Sequence, residues 1–178
     1  MRIILRMVVL LLFLAGPVLV QAEPPAPAGK VSKETRQLVE RELAAFAKKL
    51  SAQESLDGEV ATELLRAYLN AHPEFYGAAF AFAPVEKGDK VVKSAPYVYR
   101  QETGLVDKNL IGSYDYSDGS QQWYTNPLKT GKALWSDPYF DAGGGNAWMI
   151  TYSIPLYRAH NPHCPVGVVT TDLVMPAQ

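Results

Sequence analysis

Residues 148–157, WMITYSIPLY, alternate strictly, with Trp148, Ile150, Tyr152, Ile154 and Leu156 on one side and Met149, Thr151 and Ser153 on the other. A period of two is that of a strand whose two faces meet different surroundings. A second apolar run, Val166-Gly-Val-Val-Thr-Thr-Asp-Leu173, follows a proline-flanked stretch, Ala159 to Pro165, that reads as a loop. The two runs predict an antiparallel hairpin that closes the fold.

The first half of the chain has a different period. Ser32 is placed to cap a helix in which Val39, Leu43, Phe46 and Leu50 recur at three- and four-residue spacing. A second amphipathic helix is predicted over 58–70, with Val60, Leu64, Leu65, Tyr68 and Leu69 on one stripe, and His72-Pro73 stops it. Short strands are then expected over 75–83, 96–100 and 133–135, a charged turn over 86–90 and a brief helix within 120–129. Helices first and strands after define an α+β class with an antiparallel sheet.

Three further features bound the chain as a whole. Arg2 and Arg6 precede an apolar stretch closed by Val20-Gln21-Ala22, the pattern of a secretory leader over 1–22 that is cleaved, or that anchors the protein to a membrane if it is not. Of 17 basic residues those two fall in the leader, leaving 15 against 18 acidic ones and a formal charge of −3, which excludes a nucleic-acid partner. Cys164 is the only cysteine, so an exported domain here is held by packing without an internal disulfide. Residues 23–31, with three prolines, read as a flexible linker, and 32–175 as one folded domain.

No metal-hydrolase, P-loop or nucleophile-elbow pattern occurs. The triplet Gly143-Gly-Gly145 precedes a strand instead of opening a helix, so it is a turn or a backbone that approaches a ligand, not a dinucleotide loop. His160, His163 and Cys164 are close in sequence, but a closed zinc site needs four ligands and no fourth is implied, so no metal and no cofactor are expected. The informative constellation is aromatic and acidic: Tyr97, Tyr99, Arg100, Asp115, Tyr116, Trp123, Tyr124, Asn126, Trp135, Tyr139, Asp141 and Asp172. Tyrosine and tryptophan carry a polar handle on a large apolar body, which suits a pocket around a small organic ligand. A carboxylate in such a wall pairs with an ammonium group.

The order of Asn70-Ala-His-Pro-Glu-Phe-Tyr-Gly77, Tyr97-Val-Tyr-Arg100, Tyr114-Asp-Tyr116, Trp123-Tyr124, 135–146 (WSDPYFDAGGGN), Met149-Ile-Thr-Tyr-Ser-Ile-Pro155 and Gly167-Val-Val-Thr-Thr-Asp-Leu173 resembles the Cache domain, the extracytoplasmic sensor module of bacterial receptors. The resemblance covers most of 32–173. It implies a long N-terminal helix packed on a PAS-like antiparallel sheet, with a ligand pocket under covering loops. In relatives that bind amino acids, it implies an Arg two residues before the Trp-Tyr pair for the ligand carboxylate, and acids including the closing Asp for its amine. Here that Arg position holds Gln121, and Asn126 stands where an acid is expected after the pair. A neutral amide does not replace a bidentate charge-assisted clamp, which weighs against an α-amino-acid ligand. Asp141 and Asp172 remain for an amine or a hydroxylated ligand.

The expected function is therefore an exported, non-enzymatic sensor domain for a small polar or cationic metabolite, be it an amine, an amino acid or a carboxylate-like ligand. Relatives continue from the final Asp-Leu into a membrane helix and an output domain, so signalling is expected to pass through a partner such as a membrane receptor. The alternative is a ligand-free dimerisation module, with the helix from Ser32 packed on a second copy and the pocket vestigial.

Overall fold

The computed structural model describes residues 24–158 and 161–176. The leader and His160 lie outside them. Two helices open the fold, α1 (Lys33–Ser51) and α2 (Gly58–Ala71). Ser32 Oγ accepts from the Thr35 N–H at 3.1 Å, and Asp57 Oδ1 accepts from the Glu59 and Val60 N–H groups at 3.0 Å each, so both first turns are capped as their residue types dictate. Val39, Leu43, Phe46 and Leu50 of α1, and Leu65, Tyr68 and Leu69 of α2, are buried against one face of the sheet.

The strands are β1 (Gly77–Phe82), β2 (Val85–Lys87), β3 (Lys90–Val92), β4 (Pro96–Gln101), β5 (Gly104–Asn109), β6 (Leu134–Trp135), β7 (Tyr139–Phe140), β8 (Trp148–Arg158) and β9 (Asn161–Val174), with α3 (Gln122–Thr130) between β5 and β6. A seven-stranded sheet runs β5-β4-β1-β9-β8-β6, with β7 also on β8, and every pair is antiparallel. β2 and β3 form a separate exposed hairpin where a charged turn was expected. The fold is thus α+β, with helices packed on an antiparallel sheet.

Alternation sorts the central strands. Ala78, Phe80, Val98, Ile150, Val169 and Leu173 face α1 and α2, while Ala79, Ala81, Tyr97 and Val168 face a second apolar cluster with Leu110, Tyr116, Trp123 and Tyr124. Both faces are therefore covered, the second by α3 and the loops around it.

Two expectations are corrected. The stretch 159–165 is not simply a loop, because β9 begins at Asn161 and pairs back onto Arg158, with register shifts near Tyr157 that take up the extra residues. The proline-rich segment does not hang free: the Trp148 indole N–H donates to the Pro24 carbonyl at 2.7 Å, and Gly29 lies against Pro176.

Candidate ligand-binding site

β8 and β9 pair with Thr151 opposite Asp172 and Ser153 opposite Thr170, which aligns four polar side chains on the face away from α1 and α2. Thr151 Oγ1 donates to Asp172 Oδ1 at 2.8 Å and bonds the Tyr139 hydroxyl at 2.8 Å. Asp172 is 4% exposed and Asp141 7%. Around them Tyr97, Leu110, Tyr114 and Trp123 close a cavity of about 10 Å³, no more than a single water needs.

Asp141 is placed by the glycine turn. Its Oδ2 accepts from the Gly145 N–H at 2.7 Å, and its Oδ1 from the Tyr114 hydroxyl at 3.5 Å. A Cβ on Gly144 would come within 2.0 Å of Asp141 Oδ2, so the residue is glycine because the carboxylate folds back against it. Tyr76 donates to the Gly145 carbonyl at 2.8 Å, and the Lys108 ammonium to that of Gly143. Gly77 has the same logic on the sheet: its bare Cα lets the Tyr97 ring lie over it, where a Cβ would meet the hydroxyl at 2.5 Å.

Burial dominates the electrostatics. It pushes the Asp172 carboxyl up to about 7, helped by the neighbouring Asp141 charge and opposed by the hydroxyls of Thr151 and Tyr97. Burial also raises Asp141, against the Gly145 N–H, the Tyr114 hydroxyl and Lys108. Tyr97 and Tyr139 rise well above their ordinary value, first by burial and then by the two carboxylates. Two buried side-chain groups have no partner among the described residues, the hydroxyls of Tyr97 and Ser153. Tyr97 faces Asp172 without reaching hydrogen-bond geometry.

The structure brings Tyr97, Trp123, Tyr139, Asp141 and Asp172 together in this wall. Tyr99 stacks on Tyr97 with centroids 5.2 Å apart, on the outer side. Gln121 flanks the site, its side-chain oxygen accepting from the Trp123 indole N–H at 3.1 Å. Tyr116 and Tyr124 pack together beneath, and Tyr116 donates to the Phe82 carbonyl at 2.7 Å. Asn126 and Trp135 line a separate side cavity.

Arg100 is elsewhere for a clear reason. It points to the helix face and donates to the carbonyls of Leu69, His72 and Phe75, satisfying the C-terminal end of α2. Asp115 is exposed and paired with Lys93. The Trp135 indole N–H donates to Glu40 of α1 at 2.7 Å, which ties it to the helix layer. Tyr114, Thr151 and Thr170 were not anticipated; the alternation that put Thr151 opposite Ile150 already placed it on the pocket face.

A sheet with a helical layer on one face and a small closed polar site on the other is the architecture of a PAS-like sensor domain. The family model described as "Methyl-accepting chemotaxis protein-like, first PDC sensor domain" matches residues 61–177, well over half of the chain. The chain belongs to this family of sensor domains, the Cache or PDC group.

Among solved structures, the extracellular domain of a protein assigned as histidine kinase soHK1S-Z6 is 27% identical, covers 80% of this chain and 54% of its own, and gives a TM-score of 0.70. Methyl-accepting chemotaxis protein X is 21% identical with a TM-score of 0.52, covering 79% and 60%. The ligand-binding domain of the Pseudomonas aeruginosa PAO1 amino acid chemoreceptor PctC, in complex with GABA, is 14% identical with a TM-score of 0.51, covering 79% and 57%. The last two show the fold alone. The chain spans about half the length of the solved structures it matches. No curated protein matches it.

Proposed function

We propose that this domain is an exported sensor that captures a small cationic metabolite between Asp141 and Asp172 and passes the signal to a partner protein. The observation that carries this reading is two carboxylates buried in one wall with no Lys, Arg or His among the described residues lining it. Lys108 acts on Asp141 from the glycine turn, outside the cavity lining, and no cation among the described residues acts on Asp172. Buried acids so little compensated are costly, and a ligand ammonium supplies the missing charge. Extracellular neighbours support a periplasmic or extracellular location, and the same reading takes 1–22 as a leader and 32–175 as the domain.

The cavity is filled by the protein's own rings, so entry requires the 141–146 turn to lift. That breaks the Tyr76 and Lys108 contacts and gives ligand a differential affinity for an open state. Presenting that change to a membrane receptor, or to a second copy through α1, is the signalling step. The test is a thermal-stability series of amines, amino acids and carboxylates at pH 8. Stabilisation by amines, lost in Asp172→Asn, is expected; no stabilisation by any of them would end the reading.

The same filled cavity favours a second reading, a dimerisation module without ligand. An open apolar groove lined by Ala44, Ala47, Ile154 and Leu156 runs beside α1. A stable dimer by sedimentation, unaffected by all these compounds, would favour it.

A further inference from the structure

The two buried hydroxyls without partners among the described residues sit in two different cavities. Tyr97, 2% exposed, lines the acidic one. Ser153, 1% exposed, lines a second of about 90 Å³ on the other side of Trp123, with Gln122, Asn126 and Ser136. Trp123 is a wall of both.

The sheet fixes their spacing. Thr151 and Asp172 form one register pair and Ser153 and Thr170 the pair two residues along, on the same face. At about 3.4 Å per residue, the acidic group and the Ser153 hydroxyl lie about 7 Å apart along the strand. The side cavity is polar: two amides and two hydroxyls line it, together with Asp137, which is exposed and so already solvated. Among the described residues neither cavity is lined by Lys, Arg or His, so a ligand carboxylate would find no cation in either.

We propose that the two cavities are halves of one site divided by Trp123, and that the ligand is an amine carrying an uncharged hydrogen-bonding group, a hydroxyl or amide, about 7 Å from its nitrogen. This rests on the amine reading of Asp141 and Asp172. The ammonium lies between the carboxylates, the Trp123 ring turns aside, and the far group bonds Ser153, giving the buried hydroxyl the partner it lacks. Unpartnered buried hydroxyls are rare and costly, and a ligand that completes one is selected over an analogue that does not.

The experiment is calorimetric titration of the full chain with pentylamine, aminopentanol (hydroxyl at the far end), aminopentanoate and ethanolamine at pH 8. Aminopentanol is expected to bind about tenfold tighter than pentylamine, and aminopentanoate and ethanolamine more weakly than aminopentanol. Ser153→Ala should erase the aminopentanol advantage while leaving pentylamine affinity unchanged, which also shows that the variant is folded. Equal affinity of wild type for pentylamine and aminopentanol overturns the two-cavity site but leaves the amine reading intact. An advantage that survives in Ser153→Ala likewise overturns it. Absence of binding by any amine overturns both.

Discussion

Thr151 and Asp172 are register partners on neighbouring strands, and the Thr151 hydroxyl donates to the Asp172 carboxyl at 2.8 Å. Thr151 also bonds Tyr139, so the carboxyl is tied through one hydroxyl to the strand that leads into the glycine turn. The proposed opening at that turn would thereby be coupled to the charge on Asp172.

The first prediction follows from that charge. Burial raises Asp172 to about 7 in the folded protein, against about 4 in an unfolded chain. The folded state holds the proton more tightly, so this group's stabilising contribution is full below about pH 4, falls as pH rises, and is lost above about 7. Three units correspond to about 4 kcal/mol as an upper bound, shared with Asp141. Urea unfolding at pH 5 and pH 8 should show wild type losing roughly 2–3 kcal/mol between them, and Asp172→Asn losing much less. Equal slopes would remove Asp172 as the cause. Amine affinity should move the other way, strengthening as pH rises through 7 and the carboxylate forms.

Gly144 and Asp141 form the second test. Because a Gly144 Cβ would fall 2.0 Å from the Asp141 carboxylate, Gly144→Ala must displace that side chain. The cost expected from such overpacking is about 1–3 kcal/mol. In an Asp141→Ala background the obstacle is gone, and the cost of Gly144→Ala should shrink to under about 1 kcal/mol. A double-mutant cycle with no coupling would show that the glycine serves only the turn.

These relationships also show what the sequence made legible. The β8 pattern was readable because its two faces meet chemically different covers, apolar Ile150 and Ile154 against the helices and Thr151 and Ser153 against the site. Edge strand β5 was missed because Gly104–Asn109 is half exposed and carries Asp107 and Lys108, so no alternation marks it. Asp141 and Asp172 were readable as acids interleaved with aromatic residues, Asp172 also through the closing Asp-Leu of the family resemblance. Arg100 and Trp135 were misplaced for a different reason. Alternation along β4 puts Arg100 on the face opposite Tyr97 and Tyr99, and a list drawn from residue type alone overlooks it; Trp135 is claimed by Glu40 of α1, a partner remote in sequence. Tyr114 joins the site through a loop whose path depends on contacts remote in sequence, including its hydroxyl on Asp141.

Arg100 provides the third prediction. Its guanidinium donates to three main-chain carbonyls at the end of α2. Arg100→Ala leaves the Phe75 carbonyl without its donor, while those of Leu69 and His72 keep the main-chain N–H groups of His72 and Phe75, so the cost is about 1–3 kcal/mol. Arg100→Lys should recover only part, since one ammonium does not reproduce the fork. At a temperature where the variants remain folded, amine affinity should equal that of wild type. A selective loss of affinity would place Arg100 in the ligand site after all.

Tyr97→Phe separates stability from pH response. The buried Tyr97 hydroxyl has no partner, so its removal should stabilise the ligand-free domain by about 1 kcal/mol at pH 5, where Asp172 is mostly neutral. At pH 8 the carboxylate is charged and the hydroxyl beside it opposes the rise in its pKa. Removing the hydroxyl there withdraws that help, and the gain should vanish or reverse. The pH-dependent loss of stability should accordingly be steeper in Tyr97→Phe than in wild type, measured by the same urea unfolding. A gain that is equal at both pH values would mean that Tyr97 does not sense the Asp172 charge.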